Sequence, residues 1–127
     1  MSIISIGKLI YNILREDEAV SAMTTTIVPV FSPNAELRLP YITYSRTELG
    51  QRPAKTGSGA CSAKIAVDCY AATYEQSLDI AEAVVRALDN VRASDNGMVM
   101  RGCSLSDASE GFEGDAYMQS LVFEVRA

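Results

Sequence analysis

The sequence predicts an α+β domain: a largely antiparallel sheet of about five strands with two main helices packed on one face, in the order α-β-β-β-α-β-β. Three observations carry this expectation. Strand-like runs come in consecutive blocks, which favours antiparallel pairing over a repeating βαβ unit. Only two substantial segments keep a helical apolar period. The stretch from Lys64 to Leu88, KIAVDCYAATYEQSLDIAEAVVRAL, passes from strand straight into a capped amphipathic helix, with no room for a catalytic loop between them.

The elements follow in order. Ile6, Leu9, Ile10, Ile13 and Leu14 recur at helical spacing and mark one face of an opening helix, with Ser2 or Ser5 as its cap. Asp17 begins a short second turn whose apolar positions are Ala19, Val20 and Met23. TTTIVPVF, from Thr24 to Phe31, reads as a strand. Pro29 removes a ladder donor and so places it at an edge or a bulge. After a connection from Ser32 to Leu39, Pro40 to Thr47 is a second strand, rich in β-branched and aromatic residues. ELGQRPAKTGSG, from Glu48 to Gly59, is a loop by its glycines, proline and lack of apolar side chains. The third strand runs from Ala60 to Ala71, with Ala63, Ile65, Val67 and Cys69 on one face and Lys64, Asp68 and Tyr70 on the other. Thr73 caps the second helix and Gln76 completes a capping box. That helix is expected to bury Leu78, Ala81, Val84, Val85 and Leu88 and to keep Glu75, Asp79, Glu82 and Arg86 wet, with Glu82 and Arg86 as an i,i+4 pair. Asn90 to Gly97 turns the chain. Two long strands close it, Met98 to Ser106 and Ala116 to Arg126. The last presents Tyr117, Leu121, Phe123 and Val125 on one face, with Gln119 set apart. Asp107 to Asp115 between them is an acidic hairpin tip bending at Gly111 and Gly114.

Composition bounds the function. The 127 residues make one domain, 1–127, able to bury a core without disulfides or metals. A net charge of −5 and scattered Lys and Arg argue against a nucleic-acid binder, which needs a basic face. No apolar run approaches a membrane span, and Tyr11, Asn12 and Arg15 interrupt anything resembling a signal peptide, so a cytosolic protein is expected. The three cysteines, Cys61, Cys69 and Cys103, have no paired spacing and read as reduced, buried apolar residues.

A search for chemistry is negative. The chain has no histidine, hence neither the commonest general base nor the commonest imidazole metal ligand. Gly50 to Thr56 lacks the second glycine, the spacing and the following helix of a phosphate loop. Asp107, Glu110, Glu113 and Asp115 lack calcium-loop spacing and form a solvated acidic segment. Tyr41, Tyr44 and Tyr70 read as cross-strand packing pairs rather than a ligand platform. No catalytic residue, cofactor or metal is expected.

The opening helix IGKLIYNILRED, the Pro-Val-Phe strand followed by LPYITYSRT, the junction VDCYAATYEQSLDIAEAVVRAL and the closing GCSLSDASEGFEGDAYMQSLVFEV stand in a distinctive order. In that order and spacing the chain resembles, over nearly its whole length, the tail completion (tail terminator) proteins of long-tailed bacteriophages. The resemblance implies a structural, non-enzymatic subunit of a phage or prophage. It implies a hexameric ring of copies of the chain on the last ring of the tail tube, touching the tail tube protein and the head–tail connector or stopper protein. Such a subunit is made in the host cytoplasm and ends at the head-proximal end of the virion tail. DNA would pass through an acidic lumen without being gripped. Glu48, Gln51, Arg52 and Lys55 on the loop, and Asp107, Glu110, Glu113 and Asp115 on the acidic hairpin, are the interface candidates. Arg52 and Lys55 are expected to meet a partner's acidic hairpin, making the contact head-to-tail. The alternative is a small-molecule-binding α+β module that forms a homodimer.

Overall fold

The computed structural model describes residues 5–30, 38–52, 60–95 and 98–126. Its elements are α1 (Ile6–Glu16), α2 (Glu18–Met23), β1 (Ile27–Pro29), β2 (Tyr41–Arg52), β3 (Ala60–Ala71), α3 (Tyr74–Leu88), β4 (Ala93–Asp95), β5 (Met98–Met100), β6 (Gly102–Glu113) and β7 (Ala116–Arg126). Five strands form one sheet in the order β1-β2-β3-β7-β6, and β4 and β5 form a separate small hairpin. All neighbours in the large sheet are antiparallel except β1, which lies parallel to β2 at the edge. This is the α+β architecture the strand blocks predict, and Pro29 lies in the edge strand, where a missing donor is tolerated.

Helix placement follows the apolar stripes. In α1, Ile6, Leu9, Ile10 and Leu14 are buried and Ile13 packs at the margin. Ser5 occupies its N-cap position without a side-chain capping bond, and Ser2 lies outside the described residues. Asp17 caps α2 by accepting the Val20 N–H at 3.0 Å. Of the three apolar positions expected there, Val20 is buried, Met23 packs against the core, and Ala19 is exposed. Thr73 caps α3 by accepting the Gln76 N–H at 3.1 Å.

The buried stripe of α3 differs from the expectation by a fraction of a turn. Ser77, Ile80, Ala81, Ala83, Val84, Ala87 and Leu88 are buried, whereas Leu78 and Val85 stand at the rim. The alanines bring the helix close to the sheet, and Ser77 is tolerated inside because its hydroxyl donates to the Tyr74 carbonyl at 2.6 Å. Among the described residues the ion pair at contact distance is Lys64–Glu48, so Glu82 and Arg86 do not close. The core lies between the two helices and one sheet face, around Phe123, Ile65, Val67 and Ile42, all fully enclosed. Each such side chain contributes about 1.5–3 kcal/mol by leaving water.

The strands run further than the sequence suggests. Glu48 to Arg52, expected in a loop, continue β2 and pair as far as Arg52 with Ala60. Thr47 makes a bulge there, where the register shifts between Arg46 and Glu48. The expected strand from Met98 to Ser106 is broken at Arg101 into β5 and β6. The acidic segment is strand for most of its length: β6 runs to Glu113, Gly111 lies within the strand, and the turn is Gly114–Asp115. Both turn residues have left-handed φ, 58° and 64°. That is the type I′ geometry matching strand twist, in which glycine and aspartate are favoured.

Candidate assembly surfaces

The two hairpins point to opposite ends of the sheet. Along β3, Ser62 stands beside Arg126 at the end of β7, and Ala71 stands beside Tyr117 at its start. The β2–β3 connection therefore lies at one end and the Gly114–Asp115 turn at the other, roughly 35 Å apart by strand rise. Ala60 and Cys61 carry the β2–β3 hairpin beyond Arg126, the last described β7 partner.

At the β2–β3 end Arg52 is on β2, Arg101 and Arg126 flank the start of β6 and the end of β7, and Lys64 stands between Glu48 and Glu124; Arg46 is level with Ile65 and Phe123, midway along the sheet. Glu48 is met by Lys64 at 3.7 Å, with both side chains well exposed. Gln51 and Arg52 stand in register with Cys61 and Ala60. Lys55 lies outside the described residues.

The β6–β7 end is acidic, with no Lys or Arg in the sequence from 102 to 125. Asp107 accepts the Ala108 N–H at 2.9 Å. Glu110 accepts the Tyr74 hydroxyl at 2.8 Å and the Gln119 amide at 3.1 Å. Those bonds, Gln119 first and Tyr74 second, hold its carboxyl below the usual carboxylate range, and the same contact pushes the Tyr74 phenol up. Glu113 ends β6 and Asp115 forms the turn. The structure thus gathers four of the eight sequence-derived candidates on one hairpin and keeps Glu48, Gln51 and Arg52 at the far end.

Sequence reasoning missed four residues here. Gln119, expected apart from the apolar face of β7, lies on it beside Leu121, is buried, and donates to Ser77 Oγ at 3.3 Å as well as to Glu110. Strand alternation places it there, and the partners that make burial tolerable come from α3 and β6. Tyr74, Phe112 and Tyr117 form an aromatic corner over the same end. The Tyr117 ring is 5.9 Å from Tyr74 and 4.8 Å from Phe112. Phe112 is 60% exposed and Tyr74 44%. A partly exposed aromatic cluster rimmed by carboxylates is an interface composition rather than a core one.

The tyrosines of β2 and β3 divide between faces. Tyr41 and Tyr70 stack at 4.7 Å on the face away from the helices, whereas Tyr44 turns to the helix side and packs 5.9 Å from Tyr11. On that open face Asp68 Oδ1 is enclosed without a hydrogen-bond partner. Burial is the first cause of the raised Tyr70 pKa, with the Asp68 charge second.

Nothing described resembles a reaction centre. Cys69 and Cys103 are free and buried, and burial pushes both thiols up to about 12, far from nucleophilic thiolates. The Cys61 side chain lies outside the description. Among the described residues no group of three His, Cys, Asp or Glu converges as a metal site, and no helix is long and apolar enough to cross a membrane.

Comparison with known proteins identifies the family and the fold. The family described as tail completion protein gp17 matches residues 8–127. A chain from the virion of a native gene transfer agent particle superposes with a TM-score of 0.80 at 21% identity, covering 92% of this chain and 90% of that one. At that identity the likeness establishes the shared fold. No curated protein matches.

Proposed function

This chain belongs to the tail completion protein gp17 family, and from that premise we propose that it is a non-catalytic subunit that caps a phage or prophage tail tube as a homo-oligomeric, hexameric ring and forms the joint to the head connector. The observation that carries the reading is that Arg52, with Glu48 and Gln51, stands toward the β2–β3 end of the sheet while Glu110, Glu113 and Asp115 stand toward the β6–β7 end. Residues that cannot meet within a subunit are available to meet between subunits. A contact that joins one end of a copy to the other end of the next is heterologous, and a heterologous contact builds a ring when its rotation closes.

The family membership supports a structural role in a tail, and the lack of histidine together with the buried thiols supports the absence of catalysis. The partners proposed are further copies of the chain, the tail tube protein below and the connector or stopper protein above. The genome passes through without being gripped, which the net charge of −5 favours. Assembly takes place in the host cytoplasm, and the finished position is the head-proximal end of the tail.

The test is imaging of tail tubes assembled with the full chain and with a chain lacking residues 51–58. The full chain should leave a ring at the tube end and tubes of uniform length. The shortened chain should remain folded and leave tubes uncapped. Tubes capped equally by both would overturn the role of the hairpin, and tubes never capped by the full chain would overturn the reading.

A further inference from the structure

Among the described residues the later part of β6 and the later part of β2 each border the sheet with no neighbouring strand, and we infer that they pair with each other between copies, β6 of one copy taking β2 of the next into a continuous sheet. The inference rests on the ring reading above and names the contact that would build the ring.

Each edge has a defined free portion. β6 borders the sheet, and its start is covered: the Leu105 N–H donates to Asp89 Oδ1 at 3.0 Å and the Cys103 carbonyl accepts the Asn90 N–H at 2.7 Å. Beyond the bulge between Leu105 and Asp107 no described strand covers it, and the Ala108 N–H meets the Asp107 side chain of its own strand at 2.9 Å. On the other border, β1 covers β2 only from Ile42 to Tyr44, so among the described residues no strand pairs with Glu48 to Arg52 on that side.

The backbone phase of both edges follows from antiparallel alternation, in which every second residue turns its N–H and C=O outward. On β6, the Ala108 N–H bonds Asp107 Oδ1 rather than β7, so Ala108, Glu110 and Phe112 present their backbone groups outward. On β2, the Ile42 N–H donates to the Thr26 carbonyl and the Tyr44 carbonyl accepts the Val30 N–H. Carried past the bulge, that phase makes Leu49 and Gln51 the outward residues. Set antiparallel, Ala108 falls opposite Gln51 and Glu110 opposite Leu49, so both sets of outward groups meet in register.

Orientation and geometry agree. Three antiparallel pairings separate β2 from β6 within a subunit, so repeating the subunit in one orientation makes the new contact antiparallel. Leu49 is level with Val125, and Glu110 is level with Gln119. The neighbour is therefore displaced about 20 Å along the strands. Across the long strands β2, β3, β7 and β6 of each copy, that stagger tilts the strands roughly 45° from the ring axis, close to the tilt at which sheets close into barrels. With the right-handed β3–α3–β6 crossover that parallel connections take, the sense of the stagger places the helices outside and the Asp68 face inside.

Charge and apolar area favour the same match. In that register Arg52 falls opposite Asp107, and the acid of the β2 edge, Glu48, already lies against Lys64. Phe112, 60% exposed and fixed against Tyr117, supplies an aromatic anchor at the end of the seam.

Ala108→Pro tests the pairing, because it removes an outward donor that within the subunit is held by the Asp107 carboxylate of its own strand, and it spares the bonds to β7. The full-length variant should keep its circular dichroism and melting temperature and lose rings, both in concentrated solution and at tube ends. Folded A108P that still forms rings overturns the strand pairing and leaves the ring reading standing. A wild-type chain that forms no rings overturns both. A second variant avoids dependence on the proline: Ala108→Cys with Gln51→Cys in one chain, with Cys61, the cross-strand partner of Gln51, changed to Ser, should give a ladder of covalent multimers on mild oxidation, with neither single variant doing so. Rings that form from the double variant without cross-linking contradict the inference.

Discussion

The two ends of this sheet solve different problems. At the β6–β7 end, side chains reach from the hairpin into the helix: Tyr74 and Gln119 converge on Glu110, Ser77 receives Gln119, and a type I′ turn fixes the tip. At the β2–β3 end the strands run past β7, and the described contacts are strand pairing, a Thr47 bulge and an exposed ion pair. One end is braced from within and presents acid and aromatic rings. The other is an arm of paired strand. A subunit with one preformed surface and one reaching arm suits head-to-tail assembly, because only one side of each contact has to adapt.

Mutations separate the two ends by size of effect. The largest should come from the region they share: Phe123→Ala, in mid-β7, empties the fully buried centre of the core and should cost about 3–5 kcal/mol in denaturant unfolding. Gln119→Ala, which strips the brace from the acidic end and leaves Ser77 short of a donor, should cost about 1–2 kcal/mol. Thr73→Ala, which uncaps α3 beside that brace, should cost about 1 kcal/mol by the same assay. Lys64→Ala at the β2–β3 end breaks a solvent-exposed pair, and a loss of no more than about 0.5 kcal/mol is expected. If Lys64→Ala proves as costly as Gln119→Ala, the contrast between a braced end and an arm fails.

The brace also has a pH signature. The carboxyl of Glu110 titrates below its ordinary 4.5 in the folded chain, so its contribution is present above the unfolded pKa and is lost as pH falls through the folded value. The Tyr74 phenol is raised above 10, so its share is present below that value and is lost as pH rises through the folded pKa. Glu110→Gln should flatten the acid limb of stability against pH, and Tyr74→Phe the alkaline limb. An acid limb unchanged by Glu110→Gln would show that the bonds drawn to Glu110 do not hold in solution.

Much of the fold is legible in the sequence because local signals and tertiary packing agree there. The β3–α3 junction reads correctly, since the alternation of Ala63, Ile65, Val67 and Cys69 and the Thr73 cap need no distant partner. The errors fall where distant partners decide. Glu48 to Arg52 carry loop composition, yet pairing with β3 holds them extended. Ser77 and Gln119 look like surface residues and are buried because they satisfy each other across α3 and β7. Glycine and acidic composition suggests a hairpin tip from Asp107 to Asp115 bending at Gly111 and Gly114, although strand pairing carries β6 to Glu113 and leaves the turn at Gly114–Asp115. Of the candidate surface, the charges are visible in the sequence. Their separation to opposite ends is not, because it depends on β3 lying between β2 and β7.

The central claim is that the β6 edge of one copy meets the β2 edge of the next. Its most direct test mixes two variants that both carry Cys61→Ser, so that no thiol faces position 51 within a chain: Ala108→Cys on one full-length chain and Gln51→Cys on another of different mass, under mild oxidation. Head-to-tail pairing predicts covalent heterodimers in the mixture and no dimer from either variant alone. Homodimers of either variant, or an uncross-linked mixture under conditions where rings form, would contradict it.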